Sequence, residues 1–333
     1  VGEASLTPAA WSLLADYFPP DKLARPVSFF LMGPYLGAGL ALIGGAAVID
    51  WAASIGELSL PVLGTVTAWQ FTFMVVALPG VVIAALLAML PNPKRQQADA
   101  ADLPAPGWGE VLSFMKRHAR IYFAVLLGVP FLVVVLYGLQ GWVPTILVRV
   151  YDWDLASAGR IYGTLALVAG SAGVLSGPVV GGWLKRRGHA DYPLRLAAGS
   201  ALAIALSMAT LPLQTTGEGA LVCIGLASFF VTLPLALMTF VTQTVTPREM
   251  RGVLAGLYVV GTNVIGLGLG PTLVAATTDY VLNDPNKVHV SLMIVSVCVA
   301  PVAMVLLWSG MRALGEWERQ NQGAPDVEGS TAG

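Results

Sequence analysis

The sequence predicts an all-α fold, a polytopic bundle of membrane-spanning helices. Three observations predict it: 56% hydrophobic residues against 11% charged, a mean hydropathy of +0.73, and long apolar stretches separated by short polar connections. The 333 residues carry a net charge of -1 with no block of one sign, which excludes nucleic acid as a partner. Cys223 and Cys298 sit in separate apolar runs, so neither a disulfide framework nor a thiolate metal site is expected.

A bilayer core about 30 Å thick takes roughly 20 apolar residues of helix. Nine stretches qualify, over residues 1–18, 26–50, 69–90, 120–148, 159–184, 192–213, 218–242, 252–277 and 289–312. Charges close each in turn. Lys22 and Arg25 follow the first; Lys94, Arg95, Lys116, Arg117 and Arg120 the third; Lys185, Arg186, Arg187 and Arg195 the fifth; Arg248 and Arg251 the seventh; Arg312 and Arg319 the ninth. The even-numbered spans end instead among Asp50, Glu57, Asp152, Asp154, Glu218, Asp279 and Asp284, with only Arg149, Arg160 and Lys287 as cations. The basic side is expected to be cytoplasmic, which places the C-terminus inside and Val1 outside an integral, multi-pass protein of the cell (plasma or inner) membrane.

Four regions follow. Residues 1–90 form a partial N-terminal bundle, and residues 91–118 a cytoplasmic linker. Residues 119–312 form a six-helix bundle, and residues 313–333 a polar tail expected to be disordered. The linker begins "PNPKRQQADAADLPAPG" and ends "WGEVLSFMKRHAR", which puts Trp108, Val111, Leu112 and Met115 on one face of a short interfacial helix.

The chain repeats itself six spans apart. "DYFPPDKLARPVSFF" joins the first two spans and "QTVTPREMRGVLAGL" the seventh and eighth, matching Pro20, Asp21, Lys22 and Arg25 with Pro247, Arg248, Glu249 and Arg251. "GPYLGAG" in the second span likewise answers "GLGLGPT" in the eighth. Such repeats are typical of secondary transporters. A six-span repeat implies twelve spans, so three more are expected upstream of Val1.

The chain resembles the major facilitator superfamily, seen from its fourth helix to its twelfth and N-terminally truncated, and within it the spinster branch. The resemblance rests on "VGEASLTPAAWSLLADYFPPDKLAR", "WQFTFMVVALPG" with "PNPKR", "GWVPTILVRVYDWDLASAGRIYG" and "MRGVLAGLYVVGTNVIGLGLGPTLVAATTDY". It implies proton-linked alternating access by a secondary active transporter, with protons and a small-molecule or lysolipid-like solute as partners, membrane lipid around it, no cofactor, and a monomer. The superfamily's gating signature has its counterpart in "GGWLKRRGHAD", which keeps Gly182, Arg186 and Arg187 but has Lys185 where the family usually has an acid.

Ionisable residues inside the apolar slab are costly and usually functional. Glu3 alone qualifies, thirteen residues before Asp16 and so roughly 20 Å from the basic boundary. It is the candidate proton or substrate site, against the alternative of an acid favoured by a helix N-terminus. Tyr35, Tyr137, Gln140, Thr239, Gln243 and Asn263 are polar candidates for a cavity lining or for hydrogen bonds between helices. Asp16 and Arg25 are candidates for an inner charge gate, and Trp142 and Pro144 for shaping the outer end of the fourth span. Gly173, Gly177, Pro178, Gly181 and Gly182 in "GVLSGPVVGG" allow close helix approach and a bend, as do Gly33, Pro34, Gly270 and Pro271.

Three alternatives stay open. An organic-anion or sugar-acid/proton symporter of the same superfamily would place cations deep in the core, and this sequence shows none there. A nontransporting membrane lipid receptor is the second. An enzyme is the third, but His118, His189 and His289 stand far apart at helix ends, without the clustered ligands or bases such chemistry needs.

Overall fold

The structure, a computed structural model, describes residues 10, 11, 14, 17, 18, 22–55, 58–60, 64–89 and 107–322. Its helices in chain order are α1 (Ala24–Ile55), α2 (Ala68–Ala88) and the short α3 (Trp108–Arg117). Then come α4 (Ala119–Tyr151), α5 (Leu155–Arg186), α6 (Tyr192–Ala209), α7 (Gly217–Val245), α8 (Arg251–Leu282) and α9 (Val288–Gln322). Among the described residues seven helices, all of these but α2 and α3, are long and apolar enough to cross a membrane. They fall on seven of the nine expected stretches. The third stretch is α2, whose apolar run Phe73–Leu86 is shorter, and most of the first lies outside the described residues.

The fold is all-α apart from a ribbon between α1 and α2. Strands β1 (Leu58–Leu60) and β2 (Gly64–Val66) pair antiparallel, Leu58 opposite Val66. Three residues per strand are too few for an alternating pattern to declare itself, so the sequence reads there as plain connection.

Polar side chains cap the starts of α2 and α5. At α2, Gln70 Oε1 accepts from both the backbone N and the Oγ1 of Thr67, each at 3.0 Å. At α5, Asp154 accepts from Ser157 N at 2.9 Å. Hydrogen bonds from Ser157, assisted by nearby Arg160, hold the Asp154 carboxyl below the usual carboxylate range. A lowered folded-state value stabilises the cap above the unfolded carboxyl's pKa of about 3.9, and that stabilisation is lost as pH falls through the folded value. Amide exchange in the first turn of α5 is therefore expected to accelerate below about pH 3.9, and Asp154→Ala to show fast exchange at every pH.

α5 is the spine of the bundle, with α1 on one flank and α7 on another. On the α1 side, a Cβ at Gly39 would lie 2.5 Å from Leu167 Cβ and 2.8 Å from the Gly163 carbonyl oxygen. On the α7 side, Gly173, Gly177 and Gly181 recur every four residues and form one stripe. A Cβ would collide with the Phe229 carbonyl and Thr232 Oγ1 at Gly173, and with the Leu233 carbonyl at Gly177; at Gly181 it would lie 2.6 Å from Leu237 Cδ1.

The stripe meets α7 where α7 breaks. Its helix runs Gly217–Thr232, stops at Leu233 and Pro234, and resumes over Leu235–Val245. Pro234 has no N–H to give the carbonyl four residues earlier, and its ring crowds that carbonyl. Thr232 Oγ1 approaches the Ser228 and Phe229 carbonyl oxygens, both at 3.1 Å, and donates its hydrogen there. Irregular backbone at this depth is tolerated because protein buries it.

α4, α6, α8 and α9 pack into the rest of the C-terminal bundle. α8 carries two π-helical segments, Thr262–Leu267 and Thr277–Leu282, on either side of Pro271. Trp142 Nε1 of α4 donates to the Pro271 carbonyl at 3.0 Å, which ties the C-terminal part of α4 to α8 between its π-helical segments. A helix, α3, forms where the sequence predicts one in the linker: Val111 is buried, Phe114 lies 4.6 Å from His118 and 5.9 Å from Tyr122 between ring centroids, and Trp108 and Leu112 are exposed.

Candidate solute-binding site

Helices from both ends of the chain converge on a group of aromatic side chains. The Tyr35 phenol of α1 lies near enough to those of Tyr137 on α4 and Tyr258 on α8 for electrostatic interaction. Tyr258 stands beside Thr239 of α7, whose Oγ1 donates to the Leu235 carbonyl at 3.2 Å, and the Trp11 ring stands 6.0 Å from the Tyr258 ring at 55°. Trp11, Tyr35, Thr239 and Tyr258 are all buried, and Tyr137 is half-buried.

Missing side chains make room for these rings. A Cβ at Gly170 of α5 would lie 2.7 Å from the Tyr35 ring. A Cβ at Gly270 of α8 would lie 3.1 Å from Tyr137 Cβ and 2.6 Å from the Val134 carbonyl oxygen. Gly270 therefore acts as a seat for α4, and Pro271 beside it packs at Gly141 of the same helix, where a Cβ would lie 3.4 Å from Pro271 Cγ.

The indole N–H of Trp11 is buried and has no hydrogen-bond partner among the described residues. Buried donors are normally paired, and none of the described residues supplies the acceptor for this one. Among the described residues every Lys, Arg, Asp and Glu lies toward a helix end or in a connection. The cluster therefore offers aromatic walls with hydroxyl and indole donors and no formal charge. Chemically it suits a solute with an apolar body and a few acceptor oxygens.

Several residues singled out by sequence fall here. Tyr35, Tyr137 and Thr239 belong to the cluster, and Gln140 is half-buried one turn beyond Tyr137. Gln243 is buried on α7, one turn beyond Thr239. Asn263 does not join them: it is exposed with Val260 and Val264, and its Nδ2 donates to its own helix at the Val259 carbonyl, 2.9 Å away. The reason is local, since Asn263 sits in the π-helical segment, where the extra residue per turn rotates the helix surface. Glu3 and Asp16 lie outside the described residues, and Arg25 is exposed at the start of α1.

Of the glycines, Gly173 and Gly177 are packing seats, whereas a Cβ placed on Gly182 would have no neighbouring atom within 4 Å; the third seat of the stripe is Gly181. Pro178 is half-buried inside the continuous α5. Lys185 pairs with Glu318 of α9 at 3.4 Å, so where the family usually has an acid this chain has a cation that meets an acid of another helix. Arg186 is exposed, and the Arg187 guanidinium lies 3.9 Å over the Trp183 ring.

Sequence reasoning missed Trp11 and Tyr258. A signal for Tyr258 was present in the repeat: counting from its closing Arg, Tyr35 is ten residues on and Tyr258 seven. On a helix these positions differ by three residues, which places them on one face.

Comparison with known proteins agrees with this architecture. The chain is 25% identical over 311 residues to Protein spinster homolog 3 of Danio rerio, covering 86% of this chain and 58% of that protein. It is 25% identical over 294 residues to an MFS-type efflux pump of Mycolicibacterium smegmatis, covering 85% of this chain and 62% of the pump. The chain thus spans less than two thirds of these relatives' length. A solved bacterial homologue of the human lysosomal transporter Spinster, inward-facing and unoccupied, shares the fold with a TM-score of 0.56 and 18% identity, over 93% of this chain and 74% of that one. The sequence profile of the Major Facilitator Superfamily matches residues 1–271, and the chain belongs to that superfamily of membrane transporters.

Proposed function

We propose that the protein is a proton-coupled secondary carrier that moves a small amphipathic, lipid-like solute by alternating access. The observation that carries this reading is the aromatic cluster of Trp11, Tyr35, Tyr137 and Tyr258, which among the described residues includes no charged side chain and gives the Trp11 indole N–H no acceptor. A solute held there lies between α1 on one side and α4, α7 and α8 on the other. Its acceptor oxygens meet the indole and the phenols, and its apolar part meets the rings. Rocking of α1 against α5, about the close contact at Gly39, would open the cluster to one side and then the other.

Glu3 is the proton carrier in this scheme. Water leaving the cavity raises a carboxyl's affinity for a proton, and water returning lowers it. Lys185 and Glu318 close the basic end of the C-terminal bundle, and Arg25 with Asp16 the end of the first. The basic end faces the cytoplasm in an inner or plasma membrane, as the distribution of Lys and Arg suggests.

The test is flux of lysophosphatidylcholine into proteoliposomes of the complete protein under an imposed pH gradient. Gradient-driven flux is expected, and Glu3→Gln is expected to leave a flux that ignores the gradient. Unchanged coupling in Glu3→Gln would remove Glu3 from the mechanism. Binding of the lipid without any flux would replace the carrier with a receptor.

A further inference from the structure

We propose that the basic ends of α5, α6 and α9 hold an anionic phospholipid by its phosphate, at a site separate from the aromatic cluster. The feature is a cavity of about 610 Å³ lined by Lys185, Gly188, Asp191, Arg195, Arg312 and Arg319, among others. α5 ends at Arg186 and the chain turns at Gly188, whose φ of 85° is left-handed, before entering α6. α9 runs past this turn and closes the other wall with Arg312, Gly315 and Arg319.

The charge in the cavity is not balanced. Lys185 is paired with Glu318 at 3.4 Å and Arg195 with Asp191 at 3.0 Å. Arg312 has no carboxylate within ion-pair distance among the described residues. Arg319 gives its Nε to the Gly315 carbonyl at 3.1 Å, and among the described residues no carboxylate lies within ion-pair distance of it either. Two guanidinium groups thus remain over a floor kept open by Gly315, where a Cβ would lie 3.7 Å from Arg319 Nη2 and 3.8 Å from Asp191 Cβ. Two planar donors around one space match the oxygens of a phosphate.

The surroundings identify the phosphate as a lipid's. Trp308, one turn before Arg312 on α9, and Trp183, in the last turn of α5, are exposed, the aromatic signature of headgroup depth. Farther along the two helices that carry Arg195 and Arg312, Leu202 and Leu206 of α6 and Val302 and Val305 of α9 are exposed, an apolar surface on which acyl chains can lie. A phosphate in the cavity thus has its chains directed along the bundle, an arrangement general to basic pockets between membrane helices.

The experiment uses the full chain in neutral detergent, with bound lipid counted by native mass spectrometry during titration with phosphatidylglycerol or phosphatidylcholine. Phosphatidylglycerol is expected to bind preferentially and to lose that preference in high salt. The double variant Arg312→Gln, Arg319→Gln is expected to bind phosphatidylglycerol about thirty-fold more weakly, from the attraction each cation adds near an anionic surface. Gly315→Leu, which fills the floor with every charge kept, is expected to weaken it as well, while Arg117→Gln on α3 is expected to leave it unchanged. Equal binding of the two lipids, or undiminished preference in both cavity variants, would overturn the site. Inorganic phosphate displacing phosphatidylglycerol at equal concentration would overturn its assignment to a lipid.

Discussion

Gly177→Ala is expected to destabilise the bundle by about 1–3 kcal/mol, the usual range for overpacking a filled interior. The added methyl would meet the Leu233 carbonyl, a backbone atom that cannot rotate away, at the point where Pro234 already interrupts α7. Moving Leu233 would disturb the carbonyls that Thr232 helps to satisfy, so relaxation is costly. Gly182→Ala, five residues on in the same helix, meets nothing within 4 Å. It is expected to be neutral or to gain roughly 0.5–1 kcal/mol by reducing backbone entropy in a helix interior. Thermal unfolding of the two variants in detergent separates them. Equal midpoints would mean that the α5–α7 contact is not where these glycines place it.

Tyr258→Phe should reduce transport far more than stability. The ring stays on Trp11, so the packing survives; only the hydroxyl beside Thr239 is lost. For the fold that is worth about 1 kcal/mol. For a solute using the same hydroxyl, one lost hydrogen bond in a desolvated site is worth roughly tenfold or more in affinity. Solute flux measured against concentration should therefore show a raised half-saturation, with the unfolding midpoint nearly unchanged. Tyr258→Ala is the contrast, since it also removes the ring and should cost about 3–5 kcal/mol as a large-to-small core change. A Tyr258→Phe variant with normal half-saturation would take the phenol out of the solute site.

How far the sequence reveals these features depends on their range. Spans are legible because bilayer thickness imposes a length and a composition on every helix, and seven of them appear where the apolar runs lie. Tyr35 and Tyr137 are legible as polar atoms in apolar runs. Which glycine of the pair Gly181 and Gly182 touches α7 is not, because adjacent residues point about 100° apart and only the assembled helices select one. Asn263 misleads for a related reason: its π-helical segment shifts the face that a regular helix would present. The Lys185–Glu318 pair joins positions 133 residues apart, and no local spacing encodes such a partner. The ribbon at Leu58–Leu60 and Gly64–Val66 is too short to leave a period.

The central claim is that the aromatic cluster is open to the two sides of the membrane in turn. The direct measurement places Tyr137→Cys in a background with Cys223→Ala and Cys298→Ala, in sealed vesicles of the complete protein, and labels it with a membrane-impermeant maleimide from either side. Labelling is expected from both sides, with the balance shifted by an imposed pH gradient and blocked by lysophosphatidylcholine. Labelling confined to one side under every gradient, or indifferent to the lipid, would contradict an alternating solute site at this cluster.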